Sequence, residues 1–154
     1  MIHSTIGLFH TAMAFLTMAT GATVIFMHKG TKRHKQWGYV YVTSMLLLNG
    51  SAFFIYNFGN RPSLFHLFAL ISLATLVAGI VPAITKKHKN WYPRHFYFMS
   101  WSVVGLYCAF WAETGTRLLN GQHFWWAVAI ASTSTALVGK VFIDREAKKL
   151  FGKA

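Results

Sequence analysis

The chain is poor in acids, cysteine and proline: three Asp or Glu residues, one cysteine and three prolines occur among 154 residues. Cys108 stands alone, so an intrachain disulfide, a CxxC zinc site and covalent CxxCH attachment of c-type haem are all excluded. Glu113 is the only carboxylate outside the C-terminal segment, where Asp144 and Glu146 lie. Paired-carboxylate catalysis therefore has no material to work with, and a closed zinc or copper site would lack the carboxylates or thiolates that usually complete it. A Gly-rich phosphate loop, a nucleophile elbow and an HExxH pattern are missing as well, which removes the hydrolase readings.

What the chain has in quantity is apolar surface. Hydrophobic residues make up 55% and aromatics 17%, charged residues only 12%, and the mean hydropathy is +0.40, too apolar for a soluble domain of this length. Apolar runs of spanning length fall at roughly 4–27, 38–58, 64–84, 95–117 and 124–143. The expected fold is an all-α integral membrane bundle of five helices, a single transmembrane domain over residues 1–154 with short connections. The N-terminal stretch MIHSTIGLFH has no basic n-region, and the run behind it exceeds a signal-peptide core, so it is expected to remain as the first helix.

The net charge of +12 is placed asymmetrically. Lys29, Lys32, Arg33 and Lys35 lie in the first connection, Lys86, Lys87, Lys89 and Arg94 in the third, and Lys140, Arg145, Lys148, Lys149 and Lys153 near the C-terminus; only Arg61 and Arg117 fall at the opposite ends. Thirteen against two predicts that the N-terminus faces out and the C-terminus the cytoplasm. Such charges meet anionic headgroups, and nucleic acid is not an expected partner.

A heptapeptide occurs twice. TKRHKQW at Thr31 to Trp37 returns 54 positions later as TKKHKNW at Thr85 to Trp91. The first four helices thus read as an internal duplication of a two-helix unit, repeat one over about 4–58 and repeat two over about 64–117, with the helix at about 124–143 as an addition. Two copies entering the membrane in one direction give a parallel repeat.

The histidines follow this pattern. His10 and His66 lie near the outer ends of helices one and three, while His34 and His88 precede helices two and four at the inner surface, with His95 a further inner candidate. An ionisable side chain in a span is costly and usually faces the bundle interior. Beside His10, a face with Ala14, Thr17 and Gly21 leaves room for a flat ligand or another helix; Gly105, Cys108, Ala112 and Gly115 form a similar lane whose commoner explanation is helix packing. A b-type haem needs one imidazole from each of two helices at matching depth, and the repeat offers that twice. The same four histidines are the candidate ligands for a transition metal in the alternative reading. Glu113 is expected to pair with Arg117 at i+4, and Trp37, Trp91, Tyr92, Trp125 and Trp126 to form interfacial belts. The polar run ASTSTALVG, Ala131 to Gly139, is expected to pack against the bundle or against a second copy in a homodimer.

HKQWGYVYVTSM, His34 to Met45, resembles the His-Arg-x-x-Gly-x-x-Tyr-Val signature of the bacterial membrane proteins catalogued as domain of unknown function 2306. HKNWYPRHFYF, His88 to Phe98, resembles their later His-x-x-Trp-x-x-Arg segment. The matching positions are His10, His34, Gly38, Tyr41, His88, Trp91 and Arg94; Lys35 replaces the signature arginine, and Tyr92-Pro93 departs from the second segment. The resemblance implies a multi-pass protein of the bacterial cytoplasmic (inner) membrane and carries no activity. The layout is also similar to transmembrane di-haem cytochromes b, a likeness of architecture alone. Two functions follow as expectations: a redox protein with one or two b-haems on His10/His66 and His34/His88, exchanging electrons across the membrane with quinone as a candidate partner, or a non-redox carrier or assembly partner whose histidines relay protons or bind a metal. An enzymatic activity is left open.

Overall fold

The computed structural model describes residues 5–55, 64–119 and 123–152. It contains five helices, α1 (Thr5–Phe26), α2 (Lys32–Ala52), α3 (Leu64–Thr85), α4 (Trp91–Leu118) and α5 (Phe124–Phe151). The all-α five-helix bundle expected from the apolar runs is therefore present. By length and composition α1, α3 and α5 are apolar enough to cross a membrane. Their large side chains, such as Phe15, Leu70, Ile130 and Leu137, remain exposed, as a lipid-facing surface requires. α2 and α4 are diluted by basic first turns and by buried polar residues, among them Ser44, Asn49 and Ser102.

Two boundaries differ from the hydropathy reading. α2 begins at Lys32 rather than near 38, because Thr31 caps it: the Thr31 hydroxyl oxygen accepts from the His34 backbone N–H at 3.1 Å. The basic residues that looked like a loop form its first turns, and the part of the expected span at 56–58 lies outside the described residues. α5 runs on to Phe151 rather than stopping near 143, held by Lys140–Asp144 and Lys149–Glu146 ion pairs and ended by Gly152 at φ +72.

The two heptapeptides occupy different places. Thr31 to Trp37 is the cap and start of α2, whereas Thr85 ends α3, the following residues form the connection, and Trp91 opens α4 with the Lys86 ammonium 5.3 Å from its ring centroid. From Lys32 to Trp91 the helix starts are 59 apart (91 − 32), not 54.

α4 is the centre of the bundle, packing against α1, α3 and α5, while α1 pairs with α2. Glycines allow the close approaches: an added Cβ would stand 2.9 Å from Tyr41 Cε2 at Gly21, 2.7 Å from Met99 Sδ at Gly79 and 2.5 Å from Val104 Cγ2 at Gly139. Tyr41, Met45, Leu48, Leu76, Val103 and Leu106 form the central core. Tyr41 is 1% exposed, and its hydroxyl lies 2.8 Å from Ser102 Oγ. Ser102 directs its single proton to the Met99 carbonyl at 2.8 Å, so Tyr41 is the donor to Ser102.

Candidate functional site

At the end of the bundle expected from the charges to be the outer one, His10 on α1 and His66 on α3 line one cavity of about 880 Å³. Its inward wall is made by Met45, Leu48, Leu106 and Ser102, and its polar rim by Glu113 and Arg117, whose ion pair forms as expected at i+4. The size lies in the range of cofactor sites, about 300–1,000 Å³. His10 is fixed by Ser51 at the end of α2, with Nδ1 to Oγ at 2.9 Å. Ser51 gives its own proton to the Leu48 carbonyl at 2.8 Å, so Nδ1 of His10 must donate. The proton is thereby held on Nδ1, and Nε2 keeps its lone pair. His66 packs beside Phe53, ring centroids 6.2 Å apart.

At the opposite, basic end, expected from the charges to be the inner one, the histidine whose charge bears on His34 is His95 on α4. His34, in the third position of α2 and ahead of the apolar run that begins at residue 38, is half-buried. Burial is the largest influence lowering its pKa below the usual imidazole value, followed by Lys29 and then by His95. Its Nδ1 is buried without a hydrogen-bond partner among the described residues. His95 on α4 donates Nδ1–H to the Gly79 carbonyl at 3.0 Å, which again leaves Nε2 as the lone-pair nitrogen. Lys29 completes the cluster: Nζ donates to the Val24 carbonyl at 3.2 Å and to that of Ile25, capping the end of α1. Burial lowers its pKa, opposed by Glu146 on α5. His88 sits exposed in the α3–α4 connection.

The two ends are joined by a packed interior. Tyr41 and Ser102 lie seven residues beyond His34 and His95 on their helices, on nearly the same faces. Along α2, the 17 steps from His34 to Ser51 correspond to roughly 26 Å at 1.5 Å per residue. Among the described residues no three His, Cys, Asp or Glu side chains converge on a metal-sized site. Sequence reasoning missed Ser51, Lys29 and the Tyr41–Ser102 bond; the i+7 placement of Tyr41 and Ser102 after the inner histidines was the signal that pointed to the last.

An apolar helical bundle with lipid-facing surface and histidines held between helices defines an α-helical integral membrane protein. The chain belongs to the family described as Predicted membrane protein (DUF2306), whose profile matches residues 7–144. No curated protein and no solved structure matches it.

Proposed function

We propose that the protein binds haem b within the membrane and moves electrons between the two membrane faces. The observation that carries this reading is the outer cavity, where two imidazoles from different helices meet one largely apolar space, and one of them is already oriented through Nδ1. Such outer-shell hydrogen bonds to the non-ligating nitrogen are what fix a ligand histidine in place. His10 and His66 would hold the outer group, and Arg117 at the rim offers a cation for a carboxylate-bearing edge. The inner pair, read from the sequence as His34 and His88, is better drawn as His34 and His95. His95 has the same Nδ1-anchored tautomer as His10, and His34 has a buried nitrogen with no partner among the described residues. A haem bound in either place would supply one-electron redox chemistry, with a potential set by axial ligands and burial.

The residues between the layers favour this reading over the carrier alternative. Tyr41, Met45, Leu48, Leu76, Val103 and Leu106 are buried in mutual contact, a poor route for protons or ions, whereas electrons need no wet path. The missing three-ligand cluster among the described residues weakens a dedicated transition-metal site. Five crossings are the reading of the apolar runs, the bacterial inner membrane that of the family resemblance, and an external N-terminus that of the charge asymmetry. The test is the absorbance of protein purified from haem-supplied cells: a Soret band that shifts and sharpens on dithionite reduction, lost in His10→Ala/His66→Ala/His34→Ala/His95→Ala, supports the proposal. A colourless, folded wild type sinks it.

A further inference from the structure

The outer cavity extends past its histidines. On that side it is bounded by Phe68, Ile71 and Thr75 of α3, Trp101 and Gly105 of α4, and Ser132 of α5. Apart from the edge-on rings of Phe65 and Phe124, 6.0 Å apart near the outer ends, α3 and α5 do not pack together among the described residues; α4 packs against both. A gap is left over this part of α4. Ile71 is 52% exposed and Trp101 37%, so side chains that line the cavity also face the hydrocarbon. The cavity opens sideways into the bilayer.

Gly105 separates this place from ordinary helix packing. Along the same lane, Cys108 Sγ reaches the Ser132 carbonyl at 3.5 Å, Ala112 is fully buried, and a Cβ at Gly115 would rest 3.5 Å from Ala127 Cβ. These three are packing residues. A Cβ at Gly105, by contrast, would meet nothing within 4 Å. Glycine in mid-helix weakens the helix, and here no neighbouring element requires it.

The polar groups in the wall select the occupant. The Thr75 hydroxyl directs its proton to the Ser72 carbonyl at 2.8 Å, and Ser102 directs its own to Met99. Both oxygens therefore meet the cavity as acceptors only. Ser72, also in the wall, accepts from Asn49 Nδ2 at 3.2 Å and keeps its own proton for a further partner among the described residues, so the wall offers a donor as well as acceptors. A lipid acyl chain uses neither, and an oxidised quinone presents only carbonyls, which meet the donor and leave the acceptors unpaired. A quinol presents a flat apolar ring with O–H donors.

We propose that this lateral opening binds a lipid-soluble quinol, its ring over Gly105 beside Trp101 and Phe68, a hydroxyl donating to Thr75, and its tail leaving past Ile71. The inference deepens the redox reading and rests on it for its purpose, although binding itself requires no haem. The experiment uses the full chain in lipid nanodiscs with a ubiquinol that carries a diazirine in its tail. Photolabelling should concentrate on residues 68–75 and 101–105, should be competed by excess decylubiquinol, and should fall at least tenfold in Gly105→Leu. Thr75→Val should remove the preference for quinol over quinone. If Gly105→Leu does not fold, Ile71→Trp narrows the opening from the lipid side and should give the same loss. Labelling that persists in both filled variants, or that added phospholipid competes as well as decylubiquinol, overturns the proposal. The same measurement on His10→Ala/His66→Ala separates the two readings. Labelling retained by a protein that never shows a haem spectrum removes the redox reading alone, and a haem spectrum without competed labelling removes the quinol site alone.

Discussion

His95 donates its Nδ1 proton to the carbonyl oxygen of Gly79, 3.0 Å away, at the point where Met99 packs closest to α3. The bond ties α4 to α3 and sets the ring's tautomer together, so one residue has both a structural and a chemical consequence. His88, seven positions earlier, has neither. His95→Ala should remove the inner share of bound haem and lower the unfolding temperature in detergent, while His88→Ala should change neither. A spectrum that responds to His88 and ignores His95 would restore the pairing suggested by the repeated heptapeptide.

A second expectation concerns the core between the layers. Tyr41→Phe removes the donor to Ser102 and should cost about 1 kcal/mol, the usual net value of such a bond. Gly21→Val should cost more, on the order of 1–3 kcal/mol, because its Cβ would press on the Tyr41 ring and on Val103. Unfolding by SDS titration in mixed micelles measures both, and equal stability of Gly21→Val and wild type would show that α1 is free to move away.

The helices were legible in the sequence because burial in lipid demands long apolar runs, and these are visible without any tertiary knowledge. The start of α2 was not, since Lys32, Arg33 and Lys35 lower the local hydropathy while the Thr31 cap and the backbone bonds still make a helix there. His10 and His66 drew attention in the sequence because an imidazole among apolar residues stands out, and both line the same cavity. The pairing of His34 with His88 came from the repeat itself: sequence identity aligns Thr31 with Thr85, whereas the starts of α2 and α4 are offset by 59 rather than 54 residues, which leaves His88 in the connection and puts His95 on α4. The lateral opening depends on α3 and α5 standing apart around α4, and no local pattern records that spacing.

Acidification should weaken the inner end in a predictable direction. Burial, Lys29 and His95 hold His34 below the ordinary imidazole value, so the folded protein resists protonation there while the unfolded chain does not. Above about pH 6.5 both states are neutral at this position and it contributes no pH dependence. As pH falls through that value the unfolded chain takes up the proton first, and stability drops until the folded-state pKa is reached. His34→Gln removes this contribution. The unfolding temperature should therefore fall more steeply between pH 7.5 and 5.5 in the wild type than in His34→Gln, by the part of the slope that belongs to one group. Parallel curves would mean that His34 titrates alike in both states.

The charges and the histidines of the inner end should be separable. Lys32, Arg33, Lys86 and Lys87 are exposed at the starts of α2 and of the α3–α4 connection, and none lines the outer cavity, so their expected role is electrostatic orientation. Replacing the four with glutamine leaves nine of thirteen basic residues at that end (13 − 4) and should give mixed insertion in reporter fusions placed after residues 60 and 120, which are expected to read external in the wild type. Correctly oriented molecules should keep their full complement of bound group, because none of the four side chains touches His34 or His95 in any hydrogen bond described here. His34→Gln/His95→Gln removes no fixed charge, since an imidazole is mostly neutral near pH 7. Orientation should survive that change and the inner site should not. If the histidine double variant retains all of the bound group while the lysine variant loses it, the inner end is a basic anchor that contributes to binding through charge alone, and the assignment of His34 and His95 fails.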